Sequence, residues 1–160
     1  MRVLFTTPAA SGHFHPLVPL AQALAAAGHE VAFAGPGSFA PTVAAAGFRL
    51  FPAGYDPAAG MDDEVKALFV ELARLMTDPA ANGSVRSDTH RFYWPNLAAG
   101  YTAKRMVPDL MALADAWRPD LVVRGLYEFG GAIAAEALGL PHATVQVGHV
   151  VDFSWLREEM

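Results

Sequence analysis

"ALAAAGHEVAF", residues Ala23 to Phe33, sets an Ala-rich run against a β-rich run with one glycine between them. The same phrase returns as "TVAAAGFRLF" (Thr42 to Phe51) and "AAEALGLPHATV" (Ala134 to Val145). A glycine takes the left-handed conformation that closes a helix, so each phrase reads as a helix, a stop at Gly28, Gly47 or Gly139, and a strand. Helix followed at once by strand is the punctuation of an α/β fold, and it predicts a parallel sheet.

Strands are expected at Arg2 to Thr6, Val31 to Ala34, Arg49 to Phe51, Leu121 to Arg124 and Ala143 to Val147, mostly continuous apolar runs suited to burial on both faces. Between the third and fourth, helices are expected at about Asp62 to Met76 and Asn96 to Trp117, joined by the polar, aromatic loop "TDPAANGSVRSDTHRFYWPN". No linker divides the chain. Right-handed crossovers then favour a Rossmann-like doubly wound sheet of order 3-2-1-4-5. Ligands of such sheets bind beyond the carboxyl ends of the strands where the order reverses, here after strands one and four.

Composition narrows the function. The 160 residues are 53% hydrophobic and 17% charged, as in one folded domain. Net charge is -5 and the 11 Lys and Arg do not cluster, which argues against a nucleic-acid partner. There is no Cys, removing disulfides and thiolate chemistry and suiting a reducing cytoplasm. The N-terminus lacks the long apolar region of a secretory signal, and no window of about 18 apolar residues predicts a membrane span.

The loop after strand one is "PAASGHFHP", Pro8 to Pro16. Pro16 suits the first turn of a helix whose apolar face is Leu17, Leu20, Ala21 and Leu24. His13 stands where that helix begins, and a helix start disfavours a cation, which suits a neutral imidazole acting as general base. It reads equally as a plain capping histidine. Gly12 lets backbone approach a ligand. His15 reads as structural, His29 as a turn residue, His90 as solvent-facing, and His142 and His149 flank the fifth strand, the latter on the cleft side. "HFH" has neither the i, i+4 spacing nor the carboxylate of a zinc motif, so no metal is expected. The glycines spell neither a P-loop nor G-x-G-x-x-G, so no dinucleotide cofactor is expected either.

Glu128 opens the helix "EFGGAIAAEAL", where the helix dipole alone accounts for a carboxylate. Alternatively it pairs across the switch point with His13, fixing the tautomer and stabilising the imidazolium. Phe69, Met76, Phe92, Tyr93, Trp94, Tyr101 and Met106 crowd the middle segment. Most read as core, the rest as walls of an apolar pocket.

"MRVLFTTPAASGHFHPLVPLAQALAAAGHEVAFAGP", with "AAAGFRLFPAG" and "PDLVVRGLYEFGGAIAAEALGLPHATV", resembles the N-terminal half of GT-B glycosyltransferases of family 1, particularly the bacterial enzymes that decorate macrolides, enediynes and other natural products. The resemblance implies that His13 deprotonates a hydroxyl of a lipophilic small-molecule acceptor, which displaces a nucleoside diphosphate from the anomeric carbon with inversion, without metal. Family members often carry an Asp soon after the fourth strand; Gly125 stands at one common position for it, and Glu128 is its substitute here. Acceptor contacts are implied at Gly12, Phe14, Phe69, Phe92, Trp94, Tyr127 and His149. Residues 1–160 are then a single acceptor-binding domain, with the nucleotide-sugar domain outside the chain and little transfer expected from this part alone. A lipid or sterol acceptor, or a non-catalytic binding subunit of the same fold, are the competing readings. An apolar interdomain face left open predicts self-association.

Overall fold

The computed structural model describes residues 1–77 and 85–146. Five strands, β1 (Arg2–Thr6), β2 (Glu30–Gly35), β3 (Arg49–Pro52), β4 (Leu121–Gly125) and β5 (His142–Val145), form one parallel sheet of order β3-β2-β1-β4-β5. This is the expected order, with boundaries within a residue or so for the first four strands; the fifth starts at His142 and ends at Val145, short of the expected Gln146, and Val147 lies outside the described residues. The helix-closing glycines have the conformation their role demands, with φ of 85° at Gly28, 87° at Gly47 and 65° at Gly139.

Alternation along the strands builds two apolar layers. Val3 and Phe5 of β1, Phe33 of β2 and Val123 of β4 face one side. There they meet Phe14 of α1 (Ser11–Phe14), Leu17, Ala21 of α2 (Val18–Ala26) and Val43 of α3 (Ala40–Ala45). Leu4, Ala32 and Ala34 face the other side, against Met106 and Leu110 of α6 (Ala103–Trp117) and Ala134 of α7 (Gly130–Leu138). Both faces are covered, as all-parallel sheets require.

The first helix differs from its expected form. It begins before Pro16, as the single turn α1, passes through a 3-10 turn at His15–Leu17, and only then becomes α2. Pro16 and Pro19 lack the N–H groups that would bond back to Gly12 and His15, so an unbroken α ladder cannot run through them. Leu20, expected on the apolar face, is largely exposed, while Leu17 and Ala21 are buried.

The insertion between β3 and β4 holds α4 (Asp63–Thr77) and α5 (Val85–Phe92), followed by a π-helical segment, Tyr93–Thr102, that runs into α6. Part of the stretch expected as loop is therefore α5, and the helix expected from Asn96 is π-wound until Thr102. Val65, Leu97 and Tyr101 form a third apolar cluster joining α4 to the π segment. Its rim is polar: the Tyr101 hydroxyl donates to Asp62 at 2.9 Å, and Arg105 lies over the Tyr101 ring at 3.6 Å while donating to Asp62 and Glu64. Among the described residues, no helix is long and apolar enough to cross a membrane.

Candidate functional site

At the carboxyl ends of β1 and β4 the chain leaves the sheet in two sharp turns, and a cavity of about 220 Å³ opens between them and the insertion. The turn after β1 supplies Thr7, Pro8, Ala9 and His13. Its backbone is pinned to the neighbouring strand by the Thr7 N–H, which donates to the Ala34 carbonyl at 3.1 Å, and α1 starts where the His13 and Phe14 N–H groups return to the Ala10 carbonyl.

The turn after β4 supplies Tyr127 and Glu128. Arg124 holds it from inside, its Nη1 donating to the carbonyls of Leu126 at 3.0 Å and Glu128 at 2.7 Å. Tyr127 meets the His13 ring edge-on, with centroids 5.7 Å apart, and on another side stacks on Trp94 at 4.5 Å. The imidazole is thus oriented by aromatic packing. Its Nδ1 is buried and finds no hydrogen-bond partner among the described residues.

Glu128 reaches the cavity wall but is committed elsewhere. Its carboxylate accepts from the Thr6 hydroxyl and from the Gly131 N–H at 2.9 and 3.0 Å, so it ties the start of α7 to the end of β1. Burial pushes its carboxyl above the usual carboxylate range, the hydrogen bonds from Thr6, Gly131 and Gly130 and the charge of Arg124 opposing the shift. No hydrogen bond joins it to His13. The two expected catalytic residues share a cavity without forming a dyad.

The insertion closes the remaining walls with Tyr55, Phe69 of α4, and Tyr93, Leu97, Ala98 and Thr102. The last four depend on the π winding. Residues nine apart lie about two and a half turns apart in an α-helix, on opposite faces. In a π-helix, at roughly 4.4 residues per turn, they are close to two full turns apart and share a face. Tyr93 and Thr102 therefore line one cavity, and burial raises the Tyr93 hydroxyl above its ordinary ionisation range.

Of the acceptor contacts expected from the sequence, Phe69 and Tyr127 line the cavity, and Trp94 backs Tyr127. Phe14 does not belong there. It is fully buried between Phe33 and Phe39, at ring separations of 5.2 and 5.4 Å, because the one-turn helix carrying His13 outward turns its next residue into the core. Gly12 is exposed and not part of the cavity lining, and a Cβ built on it would meet no protein atom within 4 Å. Phe92 packs outside the cavity lining. His149 lies outside the described residues. Of the other histidines, His15 is exposed beside Phe14, His90 lies against Trp94 at 6.2 Å, and His142 pairs with Glu136 at 2.9 Å. Thr7, Tyr55 and Thr102 were missed, being loop or apparently helical residues with no spacing signal in the sequence.

Comparison with known proteins gives a consistent answer. Residues 22–158 match the family described as erythromycin biosynthesis protein CIII-like, N-terminal domain. The chain is 36% identical over 155 residues to aklavinone 7-beta-L-rhodosaminyltransferase of Streptomyces galilaeus, covering 89% of this chain and 34% of that protein. It is 32% identical to tylactone mycaminosyltransferase of Streptomyces fradiae, covering 92% and 34%. Its fold is similar to the crystal structure of the glycosyltransferase SsfS6 of Streptomyces sp. SF2575, with a TM-score of 0.67, 30% identity and coverage of 91% of this chain and 39% of that one. The glycosyltransferase VinC, solved in complex with dTDP, gives 0.68 at 31% identity, covering 99% and 37%. The chain spans about a third of the length of the curated relatives it matches.

Proposed function

Because the chain belongs to the erythromycin biosynthesis CIII-like N-terminal domain family, within natural-product glycosyltransferases of GT-B fold, we propose that it binds the acceptor and carries the base of an inverting sugar transfer. The observation that carries this reading is His13, set at the reversal point of the sheet on the wall of a cavity that is otherwise mostly apolar and aromatic.

In this reading a lipophilic acceptor lies against Phe69, Tyr93 and Tyr127 with one hydroxyl at His13. The imidazole takes the hydroxyl proton as the oxygen attacks the anomeric carbon of a nucleoside diphosphate sugar. The anomeric C–O bond breaks on the opposite side, and its electron pair leaves with the diphosphate. The nucleotide sugar is held chiefly by a part of the enzyme outside this chain, as relatives about three times as long allow. Thymidine diphosphate is the favoured leaving group, since VinC was solved with dTDP. No metal or resident cofactor enters the scheme, and a chain without cysteine suits the cytoplasm.

An NMR titration tests this directly, with aromatic and polyketide aglycones in one arm and thymidine diphosphate sugars in the other. Aglycone-induced shifts centred on His13, Tyr127 and Phe69, weak for nucleotide sugar, are the expected result. Strong nucleotide-sugar binding without aglycone response would overturn the assignment.

A further inference from the structure

We infer that the hydroxyl presented to His13 is phenolic, borne by a planar aromatic acceptor lying against Tyr127; the inference rests on the acceptor-site reading above and narrows it.

Two independent observations lead there. The first concerns the base. A histidine that takes a proton from an alkyl hydroxyl is helped by a carboxylate on its other nitrogen, which stabilises the imidazolium as it forms. His13 has no such help among the described residues: Nδ1 is buried without a hydrogen-bond partner, and the nearby Glu128 carboxylate accepts from Thr6 and Gly131 and not from the imidazole. Among the described residues, the other polar side chains on this wall are the Tyr55, Tyr93, Tyr127, Thr7 and Thr102 hydroxyls, none of them a carboxylate. An unassisted imidazole is matched to an acidic hydroxyl. A phenol ionises near pH 10, whereas an alkyl hydroxyl resembles water, at about 15.7. A phenolic acceptor places much less of the proton-transfer cost on the base.

The second concerns shape. The cavity, of about 220 Å³, is lined largely by apolar and aromatic side chains. Four of its walls are rings, Tyr55, Phe69, Tyr93 and Tyr127. Tyr127 is immobilised between Trp94 and His13, so a flat ring packed on this array brings a substituent at its edge to the imidazole. Flat aromatic rings stack on such an array better than a puckered macrocycle does.

The phenolic proton passes to His13, the phenolate oxygen bonds to the anomeric carbon, and the diphosphate departs with the electron pair of the broken bond.

The test needs only this chain. Umbelliferone, a hydroxycoumarin whose phenolate absorbs apart from its phenol, and its methyl ether are titrated at a pH below the free dye's own ionisation, into wild type, His13→Gln and His13→Ala. Binding of the methyl ether reports the acceptor site itself, whatever its proton chemistry. We expect the phenol to bind wild type about tenfold tighter than the ether, with phenolate absorption appearing on binding, and in the two variants the phenol's advantage over the ether and the phenolate band both to vanish while thermal melting persists. Equal binding of phenol and ether to wild type, with no phenolate band, would overturn the phenolic assignment and leave the acceptor site standing. Binding of neither compound would overturn the acceptor-site reading and this inference together.

Discussion

The hydroxyl of Thr6, at the last position of β1, donates to the buried carboxylate of Glu128 in the turn after β4. This one contact locks together the two turns that form the cavity, and Gly131 makes room for it. A Cβ at Gly131 would collide with the Thr6 hydroxyl and lie 2.6 Å from Glu128 Oε2, both part of a rigid network. Gly131→Ala should therefore cost about 1–3 kcal/mol of stability, measurable by urea unfolding, and weaken aglycone binding as the Tyr127 turn shifts.

Glu128 also makes stability depend on pH. Its carboxyl ionises above the ordinary value of 4.5 in the folded protein, chiefly because it is buried, so the native state holds the proton more tightly than the unfolded chain. The contribution is fully present below pH 4.5 and is lost as pH rises through the folded-state value. Denaturation of wild type and Glu128→Gln across this interval should show wild type losing stability relative to the variant as pH rises. A difference independent of pH would show that folding leaves the ionisation of Glu128 unshifted.

The framework was legible because local chemistry repeats it. Gly28, Gly47 and Gly139 each end a helix and release a strand, and the apolar runs of β1, β2 and β4 mark the buried centre of the sheet, while the edge strands β3 and β5 stay partly exposed. His13 was legible because a histidine beside Gly12 after the first strand sits at the reversal point whatever the details. Phe14 was not, since adjacent residues of a one-turn helix part company between cavity and core, and no periodicity exists over four residues. The π segment left only an oblique trace: Pro95 lacks an N–H, and Gly100, five residues on, lies so close to the Pro95 carbonyl that a Cβ there would sit 2.6 Å from its oxygen. The His13–Glu128 pairing failed as a hydrogen bond because Thr6 and the start of α7 compete for the same carboxylate.

Gly100→Ala should disturb that winding. The added methyl forces the segment away from Pro95, turning Tyr93 and Thr102 off their common face. Aglycone affinity should fall by about tenfold, the loss expected for a displaced aromatic wall, while the sheet is unaffected. Isothermal titration together with the far-ultraviolet spectrum checks both halves.

Tyr101 should resist ionisation. Burial and its hydrogen bond to Asp62 push the hydroxyl up to about 12. In an ultraviolet titration of the 4 tyrosines, one phenol should remain protonated until about pH 12, and Asp62→Asn should move it down. An unchanged profile in the variant would mean that Asp62 does not hold Tyr101 in solution.

Phe69, Val70 and Met76 stand exposed along α4, and Phe69 also lines the cavity. Apolar exposure of this kind should drive concentration-dependent self-association, seen as rising apparent mass in light scattering and relieved by Val70→Lys. A constant monomer mass at high concentration would contradict it.

The central claim is that His13 removes the proton from the acceptor. Its most direct test is single-turnover sugar transfer by the enzyme containing this domain together with its nucleotide-sugar-binding part, comparing wild type with His13→Ala and His13→Gln. The account predicts a rate lower by about 10²–10⁴-fold in both variants, with acceptor affinity for a non-ionising aglycone little changed. Transfer within a few-fold of wild type in both would contradict it.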